Sequence, residues 1–115
     1  KGRTTLADEL NTVPATLPAL MYAQKMQKRA ARKGAFAQTA EDAAAALKAA
    51  ECGWEEAVPE NAAERAGALL FAAANAMRLA GVDAEEALTF ASGRFRLELL
   101  QKTEDSDGQE RPATV

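Results

Sequence analysis

Residues 61–100 read NAAERAGALLFAAANAMRLAGVDAEEALTFASGRFRLELL, and this stretch decides the fold. Leu69, Leu70, Ala73, Met77 and Ala80 recur at spacings of three and four, which predicts a helix with one apolar face. Gly81 suits a left-handed stop, where the missing Cβ removes the steric penalty. Asp83 is placed to cap the next helix and Glu86, three residues on, to reach back to its amide. Val82 and Ala87 flank that cap as a hydrophobic staple. A second apolar series follows at Leu88, Ala91, Phe95 and Leu99. The expectation is a helical hairpin with a joint of one or two residues, its arms antiparallel and each burying one stripe. Both arms need partners, which the earlier chain must supply.

A chain of 115 residues has room for one domain and one core. Apolar residues make up 48% but aromatics only 5%, and 29 of the 115 residues are alanine. Alanine favours helix and buries little area per residue, so the core consists of closely approaching helices with few bulky anchors. The formal charge of −3 argues against general nucleic-acid binding. It is unevenly spread: residues 1–33 carry a balance of +5 and residues 34–115 one of −8. A single cysteine forms no internal disulfide, and the absence of histidine excludes Cys/His zinc sites and histidine acid–base catalysis. No apolar run has the length to cross a bilayer and no secretory signal pattern is present, so the expected location is the cytoplasm. The first residue is Lys1. The expectation is a piece of a longer chain or a trimmed form of one, and in the first case there is room for a fused or partner domain.

Three segments are expected: a weakly ordered arm over 1–13, a helical domain over 14–102 and a disordered polar tail over 103–115. The arm has room for a short helical turn after Thr4 or Thr5. Pro14 and Pro18 bracket a connector, and Pro18 suits the first position of a helix. That helix runs to about Lys33 with Leu20, Ala23, Met26 and Ala30 along one face, and Gly34 ends it. A loop with Phe36 leads to Thr39, which has Asp42 at the capping-box distance. The next helix is nearly pure alanine and ends near Cys52 and Gly53. Trp54 and Val58 fall in an acidic connector. Pro59 or Asn61 then opens the long helix, Asn61 and Glu64 again having capping-box spacing. The fold class is all-α, with four main helices.

Lys25, Lys28, Arg29 and Arg32 fall on one helical stripe, with Lys33 beside it. Such a stripe can hold phosphates; the plainer reading is a solvated face balancing the acidic second half. Glu55, Glu56, Glu60 and Glu64 are the best carboxylate cluster and would suit a hard cation such as magnesium. Acidic residues are also ordinary in a first helical turn, where the helix dipole favours them. Trp54 reads as a plug over the core. Cys52, at a helix C-terminus, lacks the positive surroundings that activate a thiol.

Two blocks carry a resemblance. LPALMYAQKMQKRAARKGAF (residues 17–36) resembles the opening helix of the MazG-type nucleoside triphosphate pyrophosphohydrolases. GALLFAAANAMRLAGVDAEEALTFASGRF (residues 67–95) resembles the paired helices of the same family. The likeness spans about residues 14–100. It implies a four-helix, dimeric all-α bundle and hydrolysis of nucleoside triphosphates to monophosphate and pyrophosphate. In that chemistry magnesium polarises the triphosphate and activates the attacking water.

The family's metal-ligand pattern is Glu-Glu-x-x-Glu on the second helix and Glu-x-x-Asp on the third. Laid onto this chain, the first falls on Ala45, Ala46 and Ala49, and the second on Arg65 and Ala68 around Gly67. Every carboxylate is replaced. The basic position before the family's phenylalanine is kept as Arg94, the asparagine two residues earlier reads Ser92, and a family arginine four residues on reads Glu98. Magnesium binds through oxygen ligands; alanine offers none, and Arg65 repels the cation.

The resemblance therefore implies a MazG-like domain without catalysis, acting as a dimerisation or regulatory module with no cofactor. Two other readings compete. In one, weak magnesium-dependent hydrolysis persists through Glu60 and Glu64, aided by Glu41 or Asp42. In the other, the chain binds a nucleotide or another anion without hydrolysis, through Arg94, Arg65, Lys25, Lys28 and Arg29. The stretch 66–77 carries no charge over three turns, which marks a helix covered nearly all round. Four helices of one chain cover only part of it, so a homodimer with 66–77 in its interface is expected.

Overall fold

The computed structural model describes residues 4–36 and 39–109. These residues are all-α, with no strand among them. The helices are α1 (Leu6–Asn11), α2 (Ala19–Arg32), α3 (Ala40–Glu55), α4 (Ala62–Leu79) and α5 (Ala84–Gln109). The chain divides into two compact units, Lys1–Glu85 and Glu86–Val115.

Within the first unit α4 is the central element, packing on α3 along most of its length and on α2, which in turn carries α1. Local chemistry sets the ends. Thr5 and Asp8 form a reciprocal capping box at α1: Asp8 N–H donates to Thr5 Oγ1 at 3.0 Å and Thr5 N–H to Asp8 Oδ2 at 3.2 Å. This turns the loosely expected arm into a short helix. Glu9 ties it down by accepting from Arg29 at 3.5 Å and pairing with Arg32 at 3.6 Å. Thr39 Oγ1 accepts from Asp42 N–H at 3.0 Å and opens α3.

Gly34 and Gly81 end α2 and α4 with φ of +73° and +79°. At α4, Val82 N–H reaches Met77 O at 2.8 Å and Gly81 N–H reaches Arg78 O at 3.0 Å, the paired bonds of a Schellman stop. The joint to α5 spans residues 80–83, longer than the one or two residues expected. The left-handed glycine needs a residue on each side before a new helix begins.

Asn61 does not cap α4 with its side chain; its Oδ1 accepts from Val58 N–H at 2.9 Å and closes the turn before the helix. Trp54 lies inside α3 and is 45% exposed, so it does not plug the core. The backbone simply stays helical past Gly53, which carries the indole outward.

The covered side of α4 is also rotated from the expected one. Leu70, Met77 and Ala80 are exposed, and the covered stripe runs through Ala62, Ala66, Leu69, Ala73 and Ala76. The reason is size. Helices that approach closely need small residues at the contact, and the buried apolar residues among those described are Val13, Ala43, Ala74 and Ala84. Larger side chains of α4 are displaced outward: Leu70 is 59% exposed, and Phe71 and Met77 are also exposed.

In α5, every described residue from Glu86 to Glu104 is exposed, including the series Leu88, Ala91, Phe95 and Leu99 that was expected to be covered. The helix runs on to Gln109, into the stretch 103–115 expected to be disordered. Residues 103–107 contain neither proline nor glycine, and nothing local interrupts the ladder. The rest of that tail, residues 110–115, lies outside the described residues.

Candidate functional site

The positions to which the resemblance assigns metal ligands fall on α3 and α4, the two helices that pack most closely. Ala45, Ala46 and Ala49 lie on α3 and are exposed, as is Ala68 on α4. Arg65, also on α4, is half-buried, and its Nη1 donates to Gly53 O at 2.6 Å. The bond crosses from one helix to the other. A Cβ at Gly53 would stand 3.4 Å from Arg65 Cδ, an ordinary van der Waals contact, so the bond does not require glycine there. Arg65 thus ties the start of α4 to the last turn of α3.

Magnesium does not fit these residues. Hard cations take oxygen ligands, and four of the five positions carry a methyl group while the fifth carries a fixed positive charge. The substitute carboxylates are not drawn together either. Among the described residues no three Asp, Glu, Cys or His side chains are grouped to hold a metal. Because α4 begins at Ala62, Glu60 lies before the helix and does not share a helical stripe with Glu64. Glu55 ends α3 and Glu56 caps it, and Glu55, Glu56, Glu60 and Glu64 are all exposed. Glu41 and Asp42 belong to the first turn of α3, where carboxylates complement the exposed amides.

The candidate anion-binding residues are dispersed. Lys25 and Lys28 are exposed on α2, while Arg29 and Arg32 are engaged by Glu9. The basic stripe is therefore partly neutralised from α1, a pairing the helical period of α2 alone could not reveal. Arg94 lies on α5 and pairs with Glu98 at 3.5 Å, one turn along. That glutamate stands where the family pattern has an arginine.

Two glutamines that the sequence reading passed over anchor the interior. Gln24 Nε2 donates to Ala74 O at 2.9 Å and Val82 O at 3.1 Å, and its Oε1 accepts from Ala84 N–H at 3.0 Å. Gln27 is 2% exposed; its Nε2 donates to Phe71 O at 3.0 Å and its Oε1 has no partner. Both sit in a run dominated by lysine and arginine. The available signal was their spacing of three, which puts them on the side of α2 that also carries Leu20 and Ala31. Beside Gln27 an apolar groove is lined by Leu10, Tyr22, Met26, Phe36 and Phe71, the two phenylalanine rings meeting edge-on at 6.1 Å.

Arg78 Nε donates to Asn75 Oδ1 at 3.0 Å, which satisfies a buried amide oxygen. Partial burial lowers the pKa of the Arg78 guanidinium. No helix among the described residues is long and apolar enough to cross a membrane. No family model matches the chain, and no curated protein matches it.

Proposed function

We propose that this chain is a MazG-type helical domain that has lost its catalytic centre and serves as a non-catalytic dimerisation module. The observation that carries the reading is Arg65. At a position where the resemblance calls for a carboxylate, its guanidinium joins α4 to α3 through Gly53 O at 2.6 Å. A residue that once would have held a cation now holds the scaffold. The helix order supports the same reading: the two resembling blocks map onto α2 and onto α4 with the start of α5.

The assembly half of the proposal rests on α4. Its uncharged stretch 66–77 leaves Leu70, Phe71 and Met77 exposed, while the buried apolar residues among those described are three alanines and a valine. Alanine cores supply little hydrophobic free energy, so covering these large side chains against a second copy adds what the single chain lacks. The proposed dimer interface includes residues 66–77.

Incubation with magnesium and a panel of nucleoside triphosphates tests the catalytic half. The pure protein should release no pyrophosphate above blank. Robust turnover that scales with enzyme concentration would overturn the reading.

A further inference from the structure

The apolar groove beside Gln27 lies wholly within the first unit. Its walls are Leu10 of α1, Tyr22, Met26 and Ala30 of α2, Phe36, and Phe71 of α4, and it exposes no polar atom. Its volume of about 410 Å³ is that of an ordinary binding site. Tyr22, Met26 and Ala30 are spaced by four, so a single stripe of α2 forms one wall. Leu6, one turn before Leu10, is 39% exposed, and Phe71 is 45% exposed. Leu70 and Met77 stand about 100–120° round α4 from Phe71. The groove is therefore a different surface from the side of α4 that those two residues occupy.

The helix that forms this wall is uniformly basic. Residues 10–40 carry five basic side chains and no acidic one. Arg29 and Arg32 are answered by Glu9, and Asp8 is held in its capping box. Lys25, Lys28 and Lys33 are exposed and, among the described residues, form no ion pair. Lys33 continues the stripe of Tyr22, Met26 and Ala30, while Lys25 and Lys28 stand further round the same helix. The three are spread along about 12 Å of helix axis, too far for one carboxylate to meet them all.

We propose that this groove docks an acidic amphipathic helix of a partner protein, its apolar anchors in the groove and its carboxylates over Lys25, Lys28 and Lys33. Charge and shape both point to that occupant. Helix-in-groove recognition uses apolar anchors one turn apart and leaves the positions between them for charge. Glutamates repeated at each turn, about 5.4 Å along the axis, complement cations distributed along α2. A small carboxylate would answer one lysine and leave two. A bilayer takes apolar side chains that project from a helix face, whereas these line a hollow. The proposal does not depend on the family reading.

The probe is a fluorescein-labelled peptide of about four helical turns, with leucine at the anchor positions and glutamate between them. Titrated with the full chain, its anisotropy should rise to saturation in the micromolar range. Lys25→Glu combined with Lys28→Glu and Lys33→Glu should weaken binding about tenfold or more. Those side chains are exposed, so the variant should keep the helical signal of the parent. Tyr22→Ser, which opens the apolar wall, should weaken binding as much. A peptide with lysine in place of every glutamate should not bind. The proposal fails if the glutamate peptide shows no binding at about 0.5 mM, if the lysine peptide binds equally well, or if the charge-reversed variant binds unchanged. Vesicles of phosphatidylcholine and phosphatidylserine that capture the parent but neither variant would give the surface to lipid instead. A fall in sedimenting mass on Tyr22→Ser would give it to a second copy, and either result overturns the proposal.

Discussion

Gln24 Oε1 accepts a hydrogen bond from the Ala84 amide at 3.0 Å, joining residues 60 positions apart. The same side chain donates to the carbonyls of Ala74 and Val82. One residue of α2 thereby holds the end of α4, the joint and the first amide of α5, an amide that has no partner within its own helix. Ala84 is itself buried, so water cannot replace the bond.

Gln24→Leu should destabilise the fold by about 1–3 kcal/mol, the cost of leaving a buried donor unpaired. Urea unfolding followed by helical signal measures it. A change below about 0.5 kcal/mol would show that the joint is held by packing alone.

Gln27→Met should behave oppositely. The glutamine keeps one bond, to Phe71 O, but buries Oε1 without a donor. Phe71 O lies within α4 and retains its own helical ladder. Removing the orphaned oxygen should leave stability unchanged or raise it by about 1 kcal/mol, as expected when a buried unsatisfied group is deleted with its volume kept. Loss of more than about 2 kcal/mol would mean that Oε1 is satisfied in solution.

Gly81→Ala tests the joint from its other side. At φ of +79° an alanine Cβ crowds the adjacent carbonyl, for a cost of about 1–2 kcal/mol. The midpoint of thermal unfolding should fall accordingly, and an unchanged midpoint would contradict the left-handed stop.

Asp8 predicts a pH effect at the arm. Its pKa is lowered, chiefly by the Thr5 amide that donates to its carboxylate and secondly by the Thr5 side chain. A depressed folded pKa means that the capping box stabilises α1 above the unfolded value and loses that contribution as pH falls through the folded one. An NMR titration should find a lower midpoint for Asp8 in the folded chain than in urea. Equal midpoints would remove the capping box as a source of stability.

The helices themselves were legible in the sequence. Period, glycine stops and threonine caps place α2, α3, α4 and the start of α5 within a few residues of their bounds. The side of α4 that is covered was not legible, because alanine occupies every side of that helix and leaves periodicity with little contrast. Leu70 and Met77 looked like core by type, yet close approach to α3 selects the small residues beside them. At the candidate site the sequence offers the alignment that puts Ala45, Ala46, Ala49, Arg65 and Ala68 at the ligand positions of the resemblance. It does not give the Arg65–Gly53 bond or the two buried glutamines, since each depends on an element distant in the chain. The pairing of Arg29 and Arg32 with Glu9 was hidden for the same reason.

Sedimentation equilibrium at micromolar concentration tests the central claim, a scaffold kept for self-association, most directly. The chain has a mass of 12.2 kDa. The expected species has at least twice that mass, and Leu70→Glu converts it toward the single chain without loss of helical signal. A folded, stable species of 12.2 kDa at every concentration would contradict it.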